Sequence, residues 1–439
     1  MLQKLQWRFL HKMHDNLKED LQMKKFPCVL LAAAMLIGCV SAMADEKIKL
    51  QIYGQYADDD TKVPYDYAKE KLAEAYPNVE LELIPQAQDD GATLLAKAKI
   101  NDLPDIYQTG SGIVTTLRNS KQMMVLNDVA EKTGFLNKVY ETERQFMIAD
   151  DGNIYAFPYA GQEYVLWFVN NALFEKYGLE IPTTYDELIA CAEVFNANGI
   201  VPMALFGQEG WISAAMYDAI ATRYINAGIK GLDNGTTSIE EEGYLKAAED
   251  LAKLAQAGVF QSAVTTTNYD QASEMFLNGQ AAMFLNGQWY IEDATKALGD
   301  DVTWIAYPSY DEASYEANKH AFSGGGGSIS GYAVNPDSEH AELAAEVAAF
   351  ISEKYCEAKV MLRNNPLVAV NTGLVNDQLP KMMQDLVAEM PNMTSTTCFT
   401  WGLTNTTLSN AIGVTGQSLL SGQFTAQEVI DQLIFELGW

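Results

Sequence analysis

The pentapeptide Phe-Leu-Asn-Gly-Gln occurs twice within residues 276–288. The first copy ends a helix pattern that opens with a capping box at Asn268, and Gly279 stands where a left-handed helix cap is favoured. The apolar run 281–285 is typical of a buried parallel strand, and the second copy ends that run. The segment therefore predicts a helix, a strand and then Trp289 at the strand's carboxyl end, where open α/β sheets bind ligands.

Strand and helix patterns alternate along the first part of the chain. Apolar residues alternate with polar ones at 48–52 and 79–83, and apolar residues at helical spacing over 67–76 lie between them. Thr184 and Thr425 each stand three residues before a glutamate, a capping box that opens a helix. Strands that alternate with helices predict an α/β fold with a mostly parallel sheet.

The N-terminal region, residues 1–44, predicts export. The apolar run 26–38 follows two lysines and is too short to span a bilayer as a helix, so it is interpreted as the core of a secretory signal. Two processing routes stay open, a lipobox that ends at Cys39 and an A-x-A site at 42–44, and the lipobox is preferred. Residues 1–22 are unlike a normal signal start, which predicts that translation begins at Met23.

The charge of the exported part is strongly acidic. Residues 45–439 hold 23 basic and 55 acidic side chains, a net charge of −32. Phosphate binding needs clustered lysine and arginine, so nucleic acid is excluded as the expected partner. A solubilising surface explains this charge, and attraction to a cationic ligand is the sharper alternative.

No residue pattern indicates an enzyme or a metal site. After export only His320 and His340 remain, outside any metal-binding motif, and there is no G-x-S-x-G sequence. Three cysteines remain, so at most one disulfide forms, and Cys191 is predicted to be a core residue. The sequence predicts neither metal nor cofactor. Paired carboxylates keep a secreted glycosidase open as the enzyme alternative.

Six segments in order resemble the extracellular sugar-binding proteins of bacterial ABC importers, solute-binding protein family 1, which includes maltose-binding protein. The signature lies in Phe276-x-x-Gly279-x-Ala-Ala-Met-x-x-x-Gly287-x-Trp289. The supporting segments are Leu-Pro-Asp-Ile at 103–106, Ile-Tyr-Ala-Phe-Pro at 154–158, Trp-Phe-Val-Asn at 167–170, the run 174–188, and Leu-Ser-Gly at 420–422 with Glu428. The resemblance covers about residues 45–439.

The resemblance implies a two-lobe clamp of the type II-like periplasmic-binding-protein fold, with a mostly parallel sheet in each lobe. Lobe one would comprise 45–158 and 308–370, and lobe two 159–307 and 371–439. The segments that cross between the lobes would lie near Pro158, Tyr307 and Asn371.

The resemblance also implies a set of ligand-binding residues. A sugar needs flat aromatic surfaces and carboxylates or amides at its rim. The positions that match are Trp289, Trp211, Glu209 and Trp401, then Tyr159, Gln162 and Glu163 at the first crossing, Gln55 and Tyr56 after the first strand, and Tyr107. Thr109 stands where maltose-binding protein has a stacking tryptophan, so the resemblance points to sugars in general. The acidic run 58–60 is interpreted as a solvated loop, and the glycines 324–327 as a flexible loop.

The function that the resemblance implies is capture of a mono- or oligosaccharide by a monomer, which delivers it to a membrane permease. The membrane would be contacted only through a lipid anchor. A receptor of the same fold for polyamines or other cationic solutes is the alternative that the net charge favours.

Overall fold

The computed structural model describes residues 47–89, 91–325 and 330–438, and residues 48–439 form one compact unit. The predicted signal, the predicted start at Met23 and the predicted lipidation site Cys39 lie outside the described residues. Within those ranges no helix is both long and apolar enough to cross a membrane.

The first sheet has four strands in the order β2-β1-β3-β9. These are β1 (Ile48–Gly54), β2 (Val79–Pro85), β3 (Ile106–Thr109) and β9 (Gly331–Val334). β1 runs parallel to both β2 and β3, and β9 is antiparallel to β3. The prediction of a mostly parallel sheet is therefore confirmed for this lobe.

The second sheet has the order β5-β6-β4-β7 and is mixed. It contains β4 (Val165–Asn170), β5 (Val201–Ala204), β6 (Ala281–Gly287) and β7 (Val302–Ile305). Only β5 and β6 are parallel, so the expectation of a mostly parallel sheet is wrong here. The reason is that β4 begins beside Gly287, the last residue of β6, and runs back along it. A further pair, β8 (Ala321–Gly325) and β10 (Ser395–Thr397), is parallel.

Seventeen helices in the described ranges cover the sheets. Around the first sheet they are α1 (Asp59–Ala75), α2 (Ala92–Lys99), α3 (Ser111–Asn119), α4 (Asn127–Lys132), α5 (Glu141–Met147) and α14 (Ala341–Leu362). The others are α6 (Asn171–Tyr177), α7 (Tyr185–Ala197), α8 (Gly210–Ala221), α9 (Gly228–Asp233), α10 (Glu242–Gln256), α11 (Tyr269–Leu277), α12 (Ile291–Leu298), α13 (Glu312–Asn318), α15 (Lys381–Glu389), α16 (Thr406–Leu420) and α17 (Ala426–Leu437).

The two copies of the pentapeptide adopt different structures, as predicted. The first ends α11, whose capping box joins Asn268 and Gln271, and Gly279 follows with a φ of 67°. The second ends β6, all of whose residues are buried. The capping boxes at Thr184 and Thr425 are present as well.

Among the described residues, three hydrophobic cores divide the unit into lobes. In the smaller lobe one core joins β1 and β2 to α1 and α14 and a second joins β3 to α2 and α3, while the larger lobe's core surrounds β4 and β6. Tyr307 and Phe322 belong to the larger core, and Phe157 bridges to Tyr332. We therefore propose that the second crossing lies near Gly331 instead of Tyr307.

Two sequence interpretations of loops are wrong. Asp58 caps α1, Asp59 and Asp60 lie in its first turn, and Asp60 is buried. Gly324 and Gly325 end the strand β8, whereas Gly326 and Gly327 are not among the described residues. In each case a neighbouring segment supplies hydrogen-bond or ionic partners that the local composition does not reveal.

Candidate functional site

The carboxyl end of β6 places Trp289 by means of a glycine. Gly287 ends the strand, and Trp289 follows in a 3-10 turn, Gln288–Tyr290. A Cβ atom on Gly287 would lie only 2.2 Å from the Trp289 ring. The indole therefore packs directly on the backbone, which explains the spacing of glycine and tryptophan in the signature.

Three tryptophans from distant parts of the sequence meet at this place with Phe399. The ring of Trp211 lies 5.9 Å from that of Trp289 and 5.2 Å from that of Trp401. Phe399 and Trp401 are stacked, with centroids 4.3 Å apart and an interplanar angle of 6°. We call Trp211, Trp289, Phe399 and Trp401 the aromatic cluster. The tryptophans are all only partly buried, so the cluster presents ring surface.

Glu209 fixes one ring of the cluster. Its Oε2 accepts a hydrogen bond from the Trp211 Nε1 at 3.0 Å, and its Oε1 accepts one from the backbone N–H of Tyr269 at 3.3 Å. The sequence predicted a carboxylate that contacts the ligand. In the structure this carboxylate also holds the Trp211 ring in place, and its contact with a ligand stays a prediction.

Polar residues of α5 and of the segment after Pro158 line a cavity together with the stacked pair. This cavity of about 50 Å³ is lined by Glu143, Gln162 and Glu163 as well as by Phe399 and Trp401. Gln162 accepts a hydrogen bond from the hydroxyl of Tyr164 at 2.6 Å. Aromatic rings, carboxylates and an amide that line one cavity are the kinds of group expected to bind a polyhydroxylated ligand.

Burial raises the pKa of two carboxyls in this cavity. The pKa of Glu143 and that of Glu163 both rise from 4.5 to about 7, with burial as the main cause. Lys359 opposes the rise at Glu163, whereas Asp60 adds to it. Tyr164 is the titratable side chain beside Glu143.

We expect these two glutamates to make the folded protein less stable as pH rises. Between pH 4.5 and about 7 the unfolded chain loses protons that the folded protein keeps, so this contribution to the free energy of unfolding falls across that window. Urea unfolding at several pH values should show a smaller loss for the Glu143→Gln, Glu163→Gln double variant than for the unmodified protein. Parallel curves would contradict the assignment.

A group of buried charged side chains joins the start of α1 to the end of α14. Asp60 accepts a hydrogen bond from Lys359 and another, at 3.5 Å, from the Nε of Arg363. Arg363 also donates through Nη2 to Asp293 at 2.9 Å. The side chains of Lys359 and Arg363 are only 4% and 1% exposed, so water contributes little to their solvation.

Four predicted residues lie away from the aromatic cluster. Tyr107 is fully buried and its hydroxyl donates to the carbonyl of Gln122 at 2.7 Å, so its prediction as a ligand residue is wrong. Tyr159 packs between Tyr332 and Tyr355 in the core of the smaller lobe. β3 and the first crossing turn these rings inward.

Gln55 and Tyr56 follow β1, as predicted, but make contacts within their own lobe. The backbone N–H of Gln55 donates to Gln108 at 2.9 Å. The hydroxyl of Tyr56 donates to the carboxylate of Asp66 at 3.0 Å. Both side chains are partly exposed, and the structure does not join them to the aromatic cluster.

Sequence reasoning missed Phe399, Glu143 and Tyr269. Phe399 stands two residues before Trp401, but Trp401 lies in a 3-10 turn, Thr400–Gly402, so the turn and not an extended segment brings the two rings together. Tyr269 lies at the start of α11, and burial, with the Asp58 carboxylate next, raises its pKa well above the ordinary value. No sequence signal marks Glu143.

The cysteines and His320 have structural roles. Cys191, Cys356 and Cys398 are free and buried, and the predicted core position of Cys191 is confirmed. His320 pairs with Glu389. Across the ranges that the structure describes, no cluster of His, Cys, Asp and Glu could hold a metal ion.

Comparison with known proteins identifies similar sequences. A family model described as bacterial extracellular solute-binding protein matches residues 58–354, more than half of the chain. An uncharacterized ABC transporter extracellular-binding protein of Pyrococcus horikoshii is 26% identical over 55% of this chain and 56% of its own length. A "probable sugar-binding periplasmic protein" of Rhizobium meliloti is 23% identical over 65% of this chain and 69% of its own. The chain thus matches only about half of the first relative's length.

A solved structure shares the fold. A protein from a study of xylan utilization by Caldanaerobius polysaccharolyticus superposes with a TM-score of 0.77, covering 88% of this chain and 99% of that one at 20% identity. This likeness extends across both lobes.

Proposed function

Since the chain belongs to the bacterial extracellular solute-binding protein family, we propose that it binds a mono- or oligosaccharide between its lobes and delivers it to the permease of an ABC importer. Relatives and the structural neighbour are named for sugar binding or xylan use, which supports this ligand class. We further propose that the protein is exported, that Cys39 carries a lipid anchor, and that the folded part acts as a monomer.

The aromatic cluster is the observation that carries the proposal. Sugar rings expose C–H faces that pack on aromatic rings, while their hydroxyls need acceptors and donors at the rim. The stacked pair Phe399–Trp401 offers the first, and Gln162, Glu163 and Glu143 in the same cavity offer the second. Glu143 lies on α5 in the smaller lobe and the stacked pair in the larger, so a ligand contacts both only when the lobes are closed.

The mechanism is a shift of population and involves no turnover. A ligand that touches both lobes binds the closed form better and moves the equilibrium toward it. The permease would then recognise the closed form. In this proposal the protein is not an enzyme, which separates it from the glycosidase alternative.

A receptor for a cationic solute is the second candidate. It is favoured by two carboxyls, Glu143 and Glu163, that line the same cavity. Such a receptor would bind polyamines and would be insensitive to loss of the aromatic rings.

Thermal unfolding of residues 45–439 with a ligand panel tests the proposal. A sugar present at a hundredfold its dissociation constant adds about 2.7 kcal/mol to the free energy of unfolding and should raise the melting temperature. Polyamines and short peptides serve as controls, and chromatography of the sugar after incubation tests for hydrolysis. A shift with polyamines alone would replace the sugar with a cationic ligand, and hydrolysis would favour the glycosidase.

A further inference from the structure

Arg363 joins two acidic residues that belong to different lobes. Its Nε lies 3.5 Å from Asp60, and its Nη2 donates to Asp293 at 2.9 Å. The arginine side chain is 1% exposed, the Asp60 side chain 7% and the Asp293 side chain 26%. The contact with Asp293 is thus the part of this group nearest to water.

The packing of the two helices shows that the bond to Asp293 connects the lobes. Arg363 follows α14, which packs on α1 and β9 and belongs to the core of the smaller lobe. Asp293 lies on α12, whose buried residues Ile291 and Ala294 belong to the larger core. Asp60 begins α1 in the smaller lobe, so it holds Arg363 from the same side.

A second polar contact accompanies the first. The side-chain amide of Asn364, the residue after Arg363, donates to Glu292, the residue before Asp293, at 2.6 Å. Asn364 has a φ of 51° and accepts from Asn376 at 2.6 Å, which fixes its side chain. In both hydrogen bonds the donor follows α14 and the acceptor lies in α12, so the two bonds together hold the start of α12 to the end of α14.

We propose that Arg363 and Asp293 form an ionic latch that stabilises the closed arrangement of the lobes before and after ligand is bound. The inference deepens the proposed function, because closure is the step that the ligand drives. Asp60 and Arg363 both belong to the smaller lobe, so their contact persists when the lobes separate, and re-closure restores the two contacts with α12 instead of ordering a free side chain. The latch thereby lowers the part of the ligand's binding energy that is needed for closure.

A close approach between the two lobes at Gly110 provides an independent way to open them by substitution. A Cβ atom on Gly110, which precedes α3 in the smaller lobe, would lie 3.0 Å from the carbonyl oxygen of Trp401. Gly110 has an extended backbone, φ −134° and ψ 172°, that any residue can adopt. The Gly110→Ala variant should therefore favour separated lobes without straining its own backbone.

The test uses Asp293→Asn, which removes the charge from the latch and leaves Asp60, Lys359 and Arg363 intact. Small-angle X-ray scattering without sugar should show a larger radius of gyration than for the unmodified protein, in the same direction as Gly110→Ala. For a sugar found in the thermal panel, the dissociation constant should rise about fivefold. The matched control is Asp385→Asn, which breaks the exposed pair of Lys381 and Asp385 within α15.

The scattering measurement separates the two proposals. If no sugar binds, the sugar function fails, yet an expanded Asp293→Asn protein still supports the latch. If Asp293→Asn unfolds at the same temperature as the unmodified protein and has the same radius of gyration while Gly110→Ala is expanded, the latch is refuted. A radius that changes equally in Asp385→Asn would also overturn it.

Discussion

Replacement of Asp60 by alanine is expected to lower the free energy of unfolding by about 3–5 kcal/mol, the usual cost of breaking a buried ion pair from one side. Asp60 is 5% exposed and is the shared partner of Lys359 and Arg363, both buried. Without it, Lys359 loses the acidic partner that the structure describes for it, and Arg363 keeps only Asp293. Urea denaturation followed by circular dichroism measures the change.

The neighbouring residue provides the control for this prediction. Asp59 occupies the same first turn of α1 but is exposed, so Asp59→Ala removes a similar charge near the helix start. Its expected cost is below about 1 kcal/mol. Equal effects of the two substitutions would show that Asp60 acts only through the helix terminus.

Replacement of Gly287 by alanine is expected to weaken sugar binding by about tenfold, comparable with the loss of one aromatic contact of about 1–1.5 kcal/mol. The added methyl group would overlap the Trp289 ring, which must leave its position against the backbone and beside Trp211 and Phe399. Isothermal titration calorimetry with a sugar from the thermal panel measures this change.

Two further variants show whether a loss of affinity in Gly287→Ala comes from the Trp289 ring. Trp289→Ala should lose at least as much affinity as Gly287→Ala, since it removes the ring that the glycine positions. Gly54→Ala is the matched control, because Gly54 ends β1 as Gly287 ends β6, and a Cβ there would meet Tyr332 at an ordinary 3.7 Å. Unchanged affinity in Gly287→Ala and Trp289→Ala, with lowered melting temperatures, would make Trp289 a core residue.

Local sequence signals predicted the elements on which the site is built. Capping boxes at Asn268, Thr184 and Thr425 begin helices in the structure because each cap is completed by a residue three positions away. The end of α11 and the strand β6 were likewise predicted, since a left-handed glycine and a short apolar run act over a few residues. The family resemblance placed Trp211, Trp289 and Trp401 as ligand residues, and the structure brings them together.

Predictions failed where the partner of a residue is distant in sequence. The run 58–60 has the composition of a solvated loop, but Lys359 and Arg363 lie about 300 positions away and neutralise Asp60. For Glu209, whose contact with the ligand stays a prediction, local sequence did not reveal the hydrogen bonds from Trp211 and Tyr269. Tyr107 is buried because all four residues of β3 are covered by neighbouring segments, so neither face of the strand is open.

The sequence alone determined the α/β class and the segment that ends at Trp289, because periodicity, caps and glycine spacing act within one helix or strand. The expectation of a two-lobe binding protein came from the family resemblance. Only the tertiary structure decided the mixed pairing of β4, the stacking of Phe399 on Trp401 and the bond from Arg363 to Asp293. The first and the last of these join segments far apart in the chain, and the stacked rings, though two residues apart, meet Trp211 and Trp289 from distant segments. This geometry follows from the packing of whole lobes, which no local pattern encodes.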